Sequence, residues 1–166
     1  MAYLVGFPLL IFLAILQSTF LGNFNFLDGR PDLLLLAVIG WGLAGGGIEA
    51  QIWGLWAGFL IDLLSGLPFG TSSIALVSLG YLVTLFEGRV WEANLLMPLG
   101  VVLAASIAYH AWNITVILFM GRPFDLSYAL SRVIMPSIFL NLVLALPAVQ
   151  LLTNLRGRLY PAEIEI

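Results

Sequence analysis

The sequence predicts an all-α integral membrane protein, a bundle of six transmembrane helices. Three observations predict it. The 166 residues are 61% hydrophobic and 9% charged, with mean hydropathy +1.08, whereas soluble domains carry about 25% charged residues. The apolar residues fall into six runs, most of them near the ~20 residues that cross a ~30 Å hydrocarbon core. Short turns rich in Gly, Pro, Asn and Asp separate the runs, and no stretch between them is long enough for a soluble domain.

The first segment covers residues 2–21. It is long enough to span, lacks a positive leading region and has no small-residue cleavage site, so it reads as a retained helix. A loop of turn formers, Gly22-Asn23-Phe24-Asn25-Phe26-Leu27-Asp28-Gly29-Arg30-Pro31, follows. Pro31 ends one conformation, and Asp32 is placed to cap the second segment, residues 32–44. Gly45-Gly46-Gly47 breaks the pattern. The third segment, residues 48–64, carries Glu49 in its first turn, where the helix dipole favours an acid. The second and third segments are both short, so a re-entrant pair competes with two irregular or tilted spans.

Ser65-Gly66-Leu67-Pro68-Phe69-Gly70 forms a tight turn before the fourth segment, residues 71–86. Glu87-Gly88-Arg89-Val90-Trp91-Glu92 is the most charged loop, and Trp91 beside it fits an interfacial aromatic belt. The fifth segment, residues 95–120, is long enough to tilt. After Gly121-Arg122-Pro123-Phe124-Asp125 comes the sixth, residues 130–152. It contains Pro136 and Pro147, tolerated where neighbours satisfy the freed carbonyls. Residues 153–166 form a short tail.

Six spans put both ends on one side. Arg89, Arg156 and Arg158 then face Arg30, Arg122 and Arg132 across the bilayer. The paired arginines of the tail place both termini in the cytoplasm by the positive-inside rule. There is no cysteine, no lysine and one histidine, His110. Thiolate chemistry, a disulfide framework and a Cys-based metal site are thereby excluded, and a lone histidine argues against a His-based one. A net charge of −3 argues against nucleic acid, which needs a basic face. No nucleophile elbow, HExxH, phosphate-binding glycine loop or catalytic carboxylate pair occurs. No enzyme activity and no cofactor are expected.

Asp62 is the most informative residue. It lies in the apolar run that starts at Ile52, and a charge at membrane depth costs at least about 2.5–3.5 kcal/mol. Gly54, Gly58 and Asp62 are spaced by four, so they share one helix face that another helix can approach closely. Asp62 is either a proton, cation or partner contact, or a structural carboxylate near a helix end, paired with backbone or an arginine. His110 and Asn113, with Tyr109 and Trp112 beside them, form a second polar face suited to a small ligand or to a neighbouring helix. Gln17-Ser18-Thr19, Asn141 and Gln150 read as cross-helix hydrogen-bonding groups. Trp53 and Trp56 lie in mid-segment, facing lipid or another helix.

Three stretches, in order, resemble the MreD family of bacterial rod-shape-determining membrane proteins. They are Gln17-Ser18-Thr19, then Arg30-Pro31-Asp32-Leu33-Leu34-Leu35, then Gly54-x-x-x-Gly58-x-x-x-Asp62-Leu63-Leu64-Ser65-Gly66-x-Pro68-x-Gly70. The tail is shorter and less basic than in many members of that family. The resemblance implies a non-enzymatic subunit of the cell-wall elongation machinery in the inner membrane. It implies MreC as the direct partner, and through it RodA, its transpeptidase and MreB, with membrane lipid around the bundle. It also implies a fold similar to the six-helix substrate-binding component of energy-coupling-factor transporters. On that reading Gly54, Gly58, Asp62, Pro68, Gly70, Gln17, Arg30 and Asp32 serve helix packing or partner binding.

The main alternative is a vitamin-binding subunit of such a transporter, with His110, Trp112 and Asn113 as first candidates for the ligand. A proton-coupled carrier relaying through Asp62 would need internal repeats, which are not apparent. An enzyme of lipid-linked intermediates would need paired acids at a membrane face, and these are missing.

Overall fold

The computed structural model describes residues 2–20, 27–86 and 96–161. The charged loop around Glu87, Arg89 and Trp91 lies outside the described residues, as do residues 21–26 and 162–166. Every extended element among the described residues is helical. We label the helices α1 (Ala2–Ile15), α2 (Leu33–Trp41), α3 (Gly47–Leu64), α4 (Thr71–Thr84), α5 (Leu96–Phe119) and α6 (Leu126–Leu159). Wide π-type turns extend α1 over Leu16–Phe20, close α2 over Gly42–Gly46 and interrupt α6 over Ala129–Ile134.

By length and apolarity alone, three helical stretches qualify as spans: Leu33–Leu64, Leu96–Phe119 and Leu126–Leu159. Val5–Thr19 and Thr71–Thr84 are shorter apolar helices. The first long stretch is folded back on itself. Gly45 takes φ 95° and Gly47 takes φ 46°, values that only glycine adopts at low cost. As a result the Trp41 and Trp53 rings stack at 4.3 Å with 15° between their planes. Twelve helical residues would otherwise separate them by about 18 Å.

The nine residues of α2 are apolar all round, and such a helix is stable only when surrounded. Leu34 to Trp41 are all buried, and α2 touches each of the other five helices. At about 13 Å it is too short to cross a bilayer. It is the axial pillar of the bundle rather than one of its walls.

α3 and α4 form the closest pair, because glycines line their seam. A Cβ on Gly58 would collide with the Ser73 Cα, and one on Gly54 would sit 2.6 Å from the Leu76 carbonyl oxygen. Gly70, at φ 94°, turns the chain into α4.

α6 starts at Leu126 and not at residue 130, because the Asp125 carboxylate accepts the Tyr128 N–H at 3.0 Å and caps a turn there. It also runs beyond residue 152, so Thr153 to Leu159 of the expected tail are helical, with Arg156 and Arg158 in the last turn. Basic residues suit that end of a helix. Pro136 cannot donate to the Arg132 carbonyl four residues back. The Asp28 N–H takes that carbonyl at 3.0 Å. The incoming segment lies so close to α6 that a Cβ on Gly29 would meet the Pro136 Cβ at 2.5 Å. The proline thus creates the dock that leads the chain into α2.

Candidate functional site

Two carboxylates lie at the starts of two helices and define the site. α5 runs past both of them.

Asp62, near the end of α3, is 2% exposed. Its oxygens accept the Gly70 N–H at 2.8 Å, the Ser72 N–H at 2.9 Å and the Ser73 hydroxyl at 3.4 Å. The first amides of a helix lack partners within it and carry the positive end of its dipole. Asp62 therefore caps α4 from the neighbouring helix. Pro68 completes the corner: its carbonyl accepts the Thr71 N–H at 3.2 Å and the Thr71 hydroxyl at 2.8 Å. α5 braces it, with the Trp112 indole N–H on the Thr71 carbonyl at 2.9 Å and the Tyr109 hydroxyl on Ser72 at 3.5 Å.

Asp32 behaves differently. As the residue preceding α2 it was placed to cap that helix, but its side chain makes no capping bond. The Leu34 N–H goes instead to the Gln17 side-chain oxygen at 3.3 Å. The Asp32 backbone N–H is held by Asn141 Oδ1 at 2.7 Å, and Asn141 Nδ2 donates to Ser106 at 3.1 Å and to the Asp32 carboxylate at 3.4 Å. His110 Nε2 stands 3.6 Å from the same carboxylate. His110 lies about two and a half turns from the end of α5, so this pair sits well inside the bundle. His110 Nε2 and Asn113 Oδ1 are buried without a hydrogen-bond partner.

The structure gathers the candidate residues into two groups. Gly54, Gly58, Asp62, Pro68 and Gly70 build the α3–α4 corner. Gln17, Arg30 and Asp32 surround the start of α2, where the Arg30 N–H donates to the Ser137 hydroxyl at 3.0 Å. Trp53 is buried, while Trp56 is 43% exposed. Ser72, Ser106 and Ser137 did not stand out in the sequence. The one local signal was Thr71-Ser72-Ser73 at a helix start following an acid. At the opposite end of the bundle, Glu49 accepts from the Trp41 indole at 3.1 Å and from the Tyr160 hydroxyl at 2.6 Å, tying the glycine turn to the end of α6.

These features define a polytopic helical membrane protein whose buried polar groups tie helix to helix. The family described as rod shape-determining protein MreD matches residues 1–156. The chain belongs to the MreD family, and is a rod-shape-determining membrane protein. No curated protein and no solved structure gives a match.

Proposed function

We propose that this chain is a non-enzymatic subunit of the rod complex, which elongates the lateral cell wall, and that it binds MreC in the bacterial inner membrane. Through MreC it joins RodA, its transpeptidase and MreB. The observation that carries this reading is the family match across residues 1–156. The use of the polar groups supports it. Asp62, Gln17 and Asn141 each bond to another element of the same chain, as expected of a rigid bundle built to be held by others. Gly54 and Gly58 are occupied by α4, so a partner helix would use other faces.

Six helical passes between the two ends of the bundle, with α2 the short inner one, and both termini at the cytoplasmic end complete the reading. Arg156 and Arg158 mark one end, and Arg30, Arg122 and Arg132 the other. The test is affinity purification of the tagged protein from its native membrane in mild detergent, followed by mass spectrometry. Recovery of MreC is expected. Recovery of two ATPase subunits with a shared membrane coupling protein would overturn it.

One observation favours a second reading, a small-molecule binding subunit: the unpartnered His110 Nε2 and Asn113 Oδ1. Trp112 is already engaged with Thr71. A vitamin that raised the melting temperature of the purified protein by mass action would favour this reading.

A further inference from the structure

A cavity of about 300 Å³ opens between the ends of α1, α2 and α3. Leu34, Ile61 and Leu64 give it an apolar lining, and Gln17, Arg30 and Ser65 a polar one. Arg30 is exposed, and among the described residues no carboxylate lies within 4.0 Å of it, the one ion pair being His110 with Asp32. The nearest acid in sequence, Asp32, is turned inward to Asn141 and His110.

The position of Arg30 is built. Its N–H is fixed to Ser137 of α6, and Gly29 before it is packed on Pro136, while its side chain lines the cavity on the side of α1 and α3. The Gln17 carboxamide oxygen is used by the Leu34 N–H, which leaves its NH₂ as a donor. The Ser65 oxygen accepts the Leu67 N–H, and its hydroxyl proton remains to be given. The positive end of the α2 dipole adds to the guanidinium.

A guanidinium beside apolar side chains at the ends of membrane helices is complementary to a phosphate carrying a hydrocarbon chain. We infer that this cavity binds the headgroup of a membrane phospholipid, with Arg30 gripping the phosphate. The inference rests on the reading that these helices cross a bilayer, and the test below in detergent does not depend on topology. A planar guanidinium bonds two phosphate oxygens at once. The volume equals about ten water molecules at ~30 Å³ each, enough for a phosphodiester, its glycerol and the first methylenes of a chain against Leu34, Ile61 and Leu64.

The test uses the full chain, delipidated in a sugar detergent. Dioleoylphosphatidylglycerol, dioleoylglycerol and inorganic phosphate are added separately. Bound lipid is counted by native mass spectrometry, and melting is followed by tryptophan fluorescence. We expect one tightly held phosphatidylglycerol, a raised Tm, and no effect of dioleoylglycerol. Arg30→Gln is expected to weaken lipid binding about tenfold to a hundredfold, the loss of a charge-assisted contact. Arg30→Lys is expected to fall in between. If Arg30→Gln does not fold, Leu64→Trp carries the test. Leu64 is 64% exposed, so a larger ring there should block the cavity without lowering Tm. Lipid binding unchanged in Arg30→Gln, or in a folded Leu64→Trp, would overturn the inference. A Tm rise with inorganic phosphate equal to that with lipid would overturn the lipid assignment.

Discussion

Asp62 and Asp32 are both carboxylates beside the first residues of a membrane-embedded helix, and the protein treats them in opposite ways. Asp62 comes from a neighbouring helix, receives two backbone N–H groups and a hydroxyl, and is 2% exposed. Asp32 belongs to the segment entering its own helix and caps nothing. It faces an amide at 3.4 Å and an imidazole at 3.6 Å, with 17% of its side chain exposed. A carboxyl group inside a membrane protein is tolerable when hydrogen-bond partners surround it. The Asp62 corner meets that condition with backbone amides that cannot move away. The Asp32 corner meets it loosely, with side chains that can.

The difference should appear as a ranking of mutational effects, and the α3–α4 seam should give the largest. Any Cβ on Gly58 collides with the backbone of Ser73, and backbone cannot rotate out of the way. Gly58→Leu is expected to abolish the folded species, read as loss of the symmetric peak in size-exclusion chromatography. Gly58→Ala overpacks the same seam and should cost about 1–3 kcal/mol. An unchanged Tm in Gly58→Ala would mean that α3 and α4 are not held at this distance. If MreC co-purification fell while Tm stayed at the wild-type value, the glycine face would belong to the partner and not to α4.

Asp62 comes next. An asparagine there keeps one acceptor oxygen but turns an NH₂ toward an N–H that has no other partner. Asp62→Asn should cost about 1–3 kcal/mol, the penalty of a stranded buried donor. Asp62→Ala strands both amides and should cost more. For a chain of this size each kcal/mol lowers Tm by about 2–4 °C, a shift that tryptophan fluorescence resolves. A wild-type Tm in Asp62→Asn would show that the corner does not depend on accepting two amides.

The two regions were unequally legible in the sequence for the same physical reason. Gly54, Gly58 and Asp62 declare a common face because helical periodicity is local, and the Ser65–Gly70 turn brings the next helix back within a few residues. The reversal at Gly45–Gly47 was visible as three glycines, although not the stacking of Trp41 on Trp53 that it allows. Asp32 looked like a helix cap because capping is a local rule. Its actual partner Asn141 lies 109 residues away, and no local rule reaches that far. The early start of α6 was missed because Asp125 begins a single turn that the π segment then interrupts. That the carbonyl freed by Pro136 would be taken by Asp28 needed the fold.

The smallest stability effect is expected at Asp32, and it is the most informative. Asparagine at this position still offers an oxygen to Asn141 Nδ2, and its NH₂ faces His110 Nε2, which has no hydrogen-bond partner in the native arrangement. The substitution removes a loosely held carboxyl group and gives the imidazole a partner. Asp32→Asn should therefore move Tm by less than about 2 °C, within the range of substitutions that break no packed feature, and far less than Asp62→Asn. A drop matching Asp62→Asn would erase the contrast and make Asp32 a second structural cap. If Tm holds while cells carrying Asp32→Asn lose rod shape, the loosely held carboxyl group beside His110 serves the complex and not the fold. That outcome would separate the two carboxylates by role as clearly as their hydrogen bonds separate them by geometry.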